Sequence, residues 1–579
     1  MQGLAPLWPY LRRQRVPLIW GFIVAALGSI VGTASPYILQ LAVTSLQQQG
    51  VVAGLLLKYC ALIVLLGVVN SVLNFFIRQL IGTISYTVEN ELRNDLFQQF
   101  MRLDQKFYGE HHTGDLMARS TNDLSAVRQM LGPGLTQTFG SGLLVVVAAF
   151  WMFSIDLRLA LLALTMLPTI TISFVIIGRR MRERFGHVQT QFGQISTRAQ
   201  ENFSGIRTIK AYAQEQQEIE SFREANEEYR RLNLKYVLLN GLVWPLMSLL
   251  IGITLGLILL VGGQAVASGR ITLGQFVQFN AYVGLLTWPM IALGWTVSLY
   301  QQGVASLQRI KEVLHAAPSI KSPPQPKLPA HWQGVVEMRN VGVRYGDRWI
   351  VRNISFTIPA GRSLAIVGAT GAGKTTLTNL LGRVRDPSEG VICIDGIDIR
   401  ELPLDELRRR IAYVAQDTFL FSVPLQENIT FGRVDAGEAD VERALETSQL
   451  VNDLPQFPQG LTTMLGERGV TLSGGQKQRT AIARAVLRDP TILILDDSMS
   501  SVDTHTAAEI LRHLRDVMQG RTSIIIAQRI ATVKDANEII VLQNGQIAER
   551  GTHTQLIRQN GPYAAMYRRE LLQSEMEVE

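Results

Sequence analysis

The chain has 579 residues, too many for a single hydrophobic core, so at least two domains are expected. Hydrophobic residues make up 47% and charged residues only 18%, below the quarter usual in soluble domains, which points to membrane segments. A net charge of +7 would raise nucleic acid as a partner for a soluble protein, but much of the excess sits in loops flanking apolar runs.

Apolar residues follow Arg12, Arg13 and Arg15, yet the run is long and lacks a small-residue cleavage site, so a cleaved signal is not expected. A helix needs about 20 apolar residues to cross the bilayer core. Five stretches meet this without a charge: 17–46, 129–155, 159–178, 236–268 and 271–308. A sixth, 51–80, carries Lys58 and Arg78 near its ends, where basic side chains can snorkel. These six runs predict an all-α membrane domain. The two cysteines, Cys60 in an apolar run and Cys393 in a predicted strand, lack pairing or metal spacing and read as buried thiols.

Links 1→2, 3→4 and 5→6 are a few residues long, whereas 81–128 and 179–235 are extended. Gly178 to Lys235 contains eleven Lys and Arg. Basic loops mark the cytoplasmic face, so the long links and both termini are expected in the cytosol. Apolar residues three and four apart predict that both links are helices continuing out of the membrane. About 25 helical residues would reach roughly 37 Å beyond it. Candidate turns at the far ends are 109–123 (GEHHTGDLMARSTND) and 197–213 (TRAQENFSGIRTIKAYA).

Residues 316–332 hold five prolines and read as an extended linker. The expected organisation is a transmembrane domain over 1–315, a linker over 316–333 and a second domain with a C-terminal helix over 334–579. Short β-branched runs at 335–343, 363–367, 391–394, 411–414, 491–495, 523–527 and 538–542 alternate with helical patterns. That alternation predicts an α/β domain with a largely parallel sheet.

GATGAGKTT at 368–376 matches the P-loop pattern, follows the strand SLAIV and precedes a helical pattern. Gly368, Gly371 and Gly373 let the backbone wrap closely, turning its N–H groups toward phosphates. Lys374 reaches the β- and γ-phosphates and the Thr375 hydroxyl ligates Mg²⁺. TILILDD at 491–497 is an apolar strand ending in an acid, and Asp496 is expected to hold Mg²⁺ through its water shell.

Between these motifs lies LSGGQKQR, 472–479. With the P-loop it identifies a resemblance to the ATP-binding-cassette (ABC) family, and helix order plus a single C-terminal cassette resemble a bacterial exporter half over nearly the whole chain. The resemblance implies a head-to-tail dimer in which each ATP lies between one P-loop and the other chain's signature. It assigns Gly368, Thr370, Gly371, Gly373, Lys374, Thr375 and Thr376 to the chain's own nucleotide. Ser473, Gly474, Gly475 and Gln476 would face the partner's ATP. Tyr345 matches the aromatic that stacks on adenine, Gln416 the glutamine that contacts Mg²⁺ and water, and Asp503 in SSVD the loop crossing the dimer interface. GERG at 466–469 matches a segment touching the membrane helices, and the two turns resemble coupling helices.

Two positions depart from the family pattern. Asp497 stands where a Glu activates water; one methylene shorter, its carboxylate falls back by about 1.5 Å, and a misplacement near 1 Å can cost about a hundredfold in rate. Gln528, in AQR, replaces a histidine and cannot carry positive charge. ATP binding is therefore expected to survive while hydrolysis at this chain's own P-loop is slow. The intact signature then resembles the degenerate-site half of a heterodimeric exporter, whose partner supplies Glu and His; a homodimer with two slow sites is the competing reading.

The family mechanism implies alternating access powered by ATP. The last membrane segment carries Gln275, Gln278, Asn280, Tyr282, Trp288, Trp295 and Tyr300. Such a wall suits hydrophobic drugs or lipids, or simply helix packing and an interfacial aromatic belt. A small inorganic ion is disfavoured by the lack of clustered charge, and a peptide-processing exporter by the lack of a preceding domain. Further readings are a homodimeric lipid flippase and an ATP-gated membrane protein that does not pump. The expected location is the cytoplasmic (inner) membrane, with the cassette in the cytosol.

Overall fold

The computed structural model describes residues 2–49, 53–466, 469 and 472–578. The chain divides into two compact units. One comprises Met1–Arg102 and His111–Ala316, the other Leu103–Glu110 and Ala317–Glu579. The expected boundary at 315 thus misses an excursion: Leu103–Glu110 groups with the cassette.

In the first unit, six helical spans are long and apolar enough to cross a membrane: Arg15–Gln48, Ala53–Arg102, Thr113–Ile155, Leu157–Ser204, Glu215–Ala267 and Leu273–Leu314. Many large apolar side chains on them are exposed, as lipid-facing residues are. Cys60 is one of the exposed positions, not the buried thiol expected of it. The inner faces of the third to sixth spans share a core of Ala148, Met152, Ile170, Ile258, Phe279 and Leu286, among others. Close approach is set by small residues: a Cβ on Gly274 would lie 2.9 Å from the Gln40 carbonyl oxygen and nearer still to Thr44 Oγ1. At one end, Asp156 caps the helix Leu157–Ser204 by accepting from Leu159 N (2.9 Å) and pairs with Arg270 at 3.5 Å, joining links 3→4 and 5→6.

The long links are helical, as expected, but the first turn begins earlier, and only its second break, at His111–His112, falls inside the expected 109–123. The helix Ala53–Arg102 ends at Leu103, a short helix spans Gln105–Glu110, and the returning rod starts at Thr113. Residues 113–123, expected to turn, are already helical, with π-helical turns at Arg119–Asp123 and Met130–Gly134. That rod is bound to the helix Leu273–Leu314: Arg119 donates to Arg309 O (2.9 Å) and pairs with Glu312 (3.2 Å), while Ser306 Oγ donates to Asp123 (2.8 Å). The second turn falls inside the expected stretch, where Gly205 ends the helix Leu157–Ser204 and Ile206–Ala211 precedes the helix Glu215–Gly241.

The second unit is α/β. β1 (Val336–Tyr345), β2 (Arg348–Ile358), β4 (Glu389–Ile394) and β5 (Ile397–Asp398) form an antiparallel sheet in the order β2-β1-β4-β5. β3 (Ser363–Gly368), β6 (Ile411–Val414), β7 (Ile492–Asp496), β8 (Thr522–Ile526), β9 (Glu538–Gln543) and β10 (Gln546–Gly551) form the other, ordered β10-β9-β3-β8-β7-β6. Its pairings are parallel except β9–β10. Side chains alternate across β3: Leu364 and Ile366 enter the core shared with the antiparallel sheet, Ala365 and Val367 the core on the opposite face. Both faces being covered, β7 and β8 are buried throughout and β3 from Leu364 on, rather than alternating.

Candidate nucleotide-binding site

Parallel strands deliver their carboxyl ends to one edge of a sheet, where ligands bind in open α/β folds. Here that edge receives Gly368 from β3, Asp496 from β7, Gln416 just past β6 and Gln528 just past β8. Residues far apart in sequence are thereby gathered by the sheet.

The loop after β3 is shaped by glycine. Gly368 has φ +152° and Gly373 φ +96°; a Cβ on the first would strike the Leu542 carbonyl oxygen and on the second Val351 Cγ1. Thr370 and Gly371 are exposed at the crest, and Gly373 caps the helix Lys374–Leu381, whose first turn holds Thr375 and Thr376. Lys374 Nζ donates to the carbonyls of Gly368 (2.8 Å) and Ala369 (3.0 Å). Burial draws this ammonium below the ordinary lysine range, and the charges of Asp497 and Asp496 pull it back up. A buried cation answered by carbonyl dipoles beside a helix N-terminus is suited to an anionic ligand.

Asp496 is almost wholly buried and accepts from Tyr413 Oη at 2.8 Å. Burial pushes its carboxyl up, opposed by hydrogen bonds from the Tyr413 and Thr375 hydroxyls. The Tyr413 phenol is itself held protonated by burial and by the adjacent Asp496 charge. Asp497 has a left-handed backbone (φ +47°) and its N–H donates to Ile526 O at 2.8 Å. Its Oδ2 accepts from Gln528 Nε2 at 2.9 Å and from Gln416 Nε2 at 3.3 Å. Gln416 therefore turns its amide nitrogen to Asp497 and keeps its oxygen for another partner. The oxygens of Thr375, Gln416 and Asp496 are the hard donors that Mg²⁺ takes, so the set fits that ion.

The signature residues form a second set. Ser473 caps the helix Gly474–Leu487: its Oγ accepts from Gln476 N (3.3 Å) while Gln476 Oε1 accepts from Ser473 N (3.0 Å). Ser473 and Gly474 are exposed and Gly475 is buried. Gln478 ties this helix to the next loop, donating to Ser500 Oγ (3.0 Å) and accepting from Ser501 N (2.9 Å). That loop ends at Asp503, which caps the helix Thr504–Met518 by accepting from Thr506 N at 2.9 Å. Among the described residues no hydrogen bond joins Ser473, Gly474, Gly475 or Gln476 to the loop 368–376. Within GERG, Glu467 and Arg468 lie outside the described residues.

Tyr345 ends β1 and is 55% exposed, with the Arg385 guanidinium 3.9 Å from its ring centroid. Arg385 and Tyr413 were not among the expected site residues. A tyrosine in a buried strand was a usable signal for Tyr413, since its hydroxyl needs a partner.

The expected membrane wall separates into roles. Gln278 Nε2 donates to Tyr282 Oη (3.3 Å), which donates to Thr33 O (2.9 Å); both side chains are buried in helix packing. Gln275 completes a capping box with Thr272, and Asn280 donates to Phe276 O at 3.1 Å. Trp288 and Trp295 remain exposed.

Residues 18–290 match the family described as "ABC transporter transmembrane region" and residues 351–500 the family described as "ABC transporter". The chain is 38% identical to the "Probable multidrug resistance ABC transporter ATP-binding/permease protein YheI" of Bacillus subtilis (strain 168), covering 90% of this chain and 89% of that one. It is 35% identical to the "Multidrug resistance-like ATP-binding protein MdlA" of Escherichia coli (strain K12), over 100% and 98% of the two chains. The "ATP-dependent lipid A-core flippase" of Syntrophus aciditrophicus (strain SB) is 34% identical over 88% and 85%. A solved "Structure of a bacterial Atm1-family ABC exporter with ATP bound" superposes with TM-score 0.82 at 28% identity, covering 96% of this chain and 99% of that one.

Proposed function

The chain belongs to the ABC transporter family, and on that premise we propose that it is the half of a heterodimeric exporter whose own ATP site binds but hydrolyses slowly. The observation carrying this is the clamp on Asp497, whose Oδ2 takes hydrogen bonds from both Gln528 and Gln416. A short carboxylate engaged by two amides is a poor base for water. Binding needs neither: Tyr345 would stack on adenine, the loop 368–376 would cradle the phosphates with Lys374, and Thr375, Gln416 and Asp496 would hold Mg²⁺, directly or through water. Mg²⁺, when bound, neutralises phosphate charge.

Ser473, Gly474, Gly475, Gln476 and Asp503 would face ATP held by the partner, where Glu and His carry out hydrolysis. ATP-driven dimerisation of cassettes then moves the membrane helices between inward- and outward-open states, exporting hydrophobic or amphipathic compounds across the cytoplasmic membrane. The chain is to be purified alone and with its co-expressed partner. Turnover is expected only in the complex, abolished by removing the partner's Glu and little changed by Asp497→Ala. Strong ATPase activity from this chain alone would sink the reading. A homodimeric lipid flippase is the second reading, favoured by the likeness to the lipid A-core flippase. Slow ATPase from a dimer of this chain, stimulated by lipid, would favour it.

A further inference from the structure

Tyr345 stands at the end of β1, directly before the two-residue turn into β2, with one ring face covered and more than half its surface exposed. The cover is Arg385, its guanidinium 3.9 Å from the ring centroid. The same guanidinium donates to the carbonyl of Arg344, the residue before the ring, at 3.2 Å. Two further bonds stitch this segment to β1: Ser388 N donates to Gly342 O (2.8 Å) and Arg344 N donates to Ser388 Oγ (3.2 Å). On the other side, Arg383 grips Asp386 through both guanidinium arms (2.9 and 3.0 Å), just past the helix that begins at Lys374. Residues 382–388 are therefore a short, bonded segment from the end of the helix Lys374–Leu381 to the aromatic ring.

We propose that Arg385 is a positioning residue for nucleotide recognition, holding the Tyr345 ring from behind so that its open face takes the purine base. The inference rests on the reading of Tyr345 as the base-stacking residue. A guanidinium over one face is held by the ring quadrupole and removes the ring's rotational freedom before ligand arrives. It also draws electron density from the opposite face, which favours an electron-rich purine there. The hydrogen bond to Arg344 fixes the guanidinium plane, which a lysine ammonium would not reproduce. Arg385 touches neither the phosphate loop nor Mg²⁺ donors in the contacts described, so its effect is confined to the base.

The test measures equilibrium binding of Mg·ATP and of inorganic tripolyphosphate to the full chain in detergent, for Arg385→Ala, Arg385→Lys, Tyr345→Ala and the double variant, with circular dichroism to verify folding. Arg385→Ala is expected to weaken ATP about fivefold, with Arg385→Lys between it and the parent. Tripolyphosphate affinity is expected to be unchanged, and the double variant no weaker than Tyr345→Ala alone. Equal losses for ATP and tripolyphosphate, or an undiminished Arg385→Ala effect in the Tyr345→Ala background, would overturn the proposal. So would a Tyr345→Ala loss with no Arg385→Ala loss, which leaves the reading of Tyr345 standing. If Tyr345→Ala left ATP binding unchanged, that reading would fall first and the proposal with it.

Discussion

Gln528 and Asp497 are hydrogen-bonded to each other across 2.9 Å. They behave as one unit, since replacing either alone leaves the other shaped for a partner that has gone. In a complex whose other catalytic site is disabled, Asp497→Glu or Gln528→His alone is expected to raise ATPase less than about threefold. Together they are expected to raise it about a hundredfold, the cost of a displaced catalytic group. Additive effects in steady-state assays would show that the two positions act separately.

Tyr413 supplies a hydroxyl to the buried Asp496 carboxylate. Tyr413→Phe keeps the ring and its packing but withdraws that donor, and hydrogen bonds to charged groups contribute about 1.5–3 kcal/mol. Affinity for ATP with Mg²⁺ is expected to fall about tenfold, while Mg²⁺-free binding stays the same. Titrations with and without the ion decide this.

Gly274 packs against the first membrane helix so closely that a methyl group would meet the Gln40 carbonyl and Thr44. Backbone cannot yield as a flexible side-chain tip can, so Gly274→Ala is expected to destabilise the membrane unit by about 1–3 kcal/mol. Thermal unfolding in detergent, followed by tryptophan fluorescence, should show an earlier transition. Gly284→Ala, with open space around it, serves as the silent control.

Asp104 accepts from Ser319 N (2.6 Å) and Ile320 N (3.3 Å). Burial raises its carboxyl, but the Ser319 hydroxyl and these backbone donors outweigh it, and the net shift is downward. A folded-state value below the unfolded one means that the contribution is complete above the unfolded value and lost as pH falls through the folded one. Amide exchange protection at Ser319 and Ile320, corrected for intrinsic rates, is therefore expected to hold from neutral pH to about 5 and to fade below about 4. Asp104→Asn should weaken it at neutral pH and remove its dependence on pH in the acid range.

The membrane spans were legible because six runs of bilayer length, five of them free of charge, crowd the first 310 residues, and the cassette because strand, phosphate loop and helix follow one another in order. The first cytosolic turn was misplaced because Gly109 and Gly114 look like breakers, yet both lie inside short helices. The first break, at Leu103, has no glycine or proline; Asp104 makes it by capping Phe107 N at 3.3 Å. Gln278 and Tyr282 read equally as cavity wall or packing, and only the facing Thr33 carbonyl, 249 residues from Tyr282, decides. Arg385 was invisible for the same reason, since its partners precede it by about 40 residues and are brought to it by sheet pairing.

The grouping of Leu103–Glu110 with the cassette has a consequence for biosynthesis. Asp104 leaves the ribosome 215 residues before the Ser319 that it will bind. Until then four further membrane segments must be inserted while this short helix waits without its partner. The linker segment at Ser319 is thus tied to a piece of chain made long beforehand, a contact of high sequence separation and correspondingly slow closure.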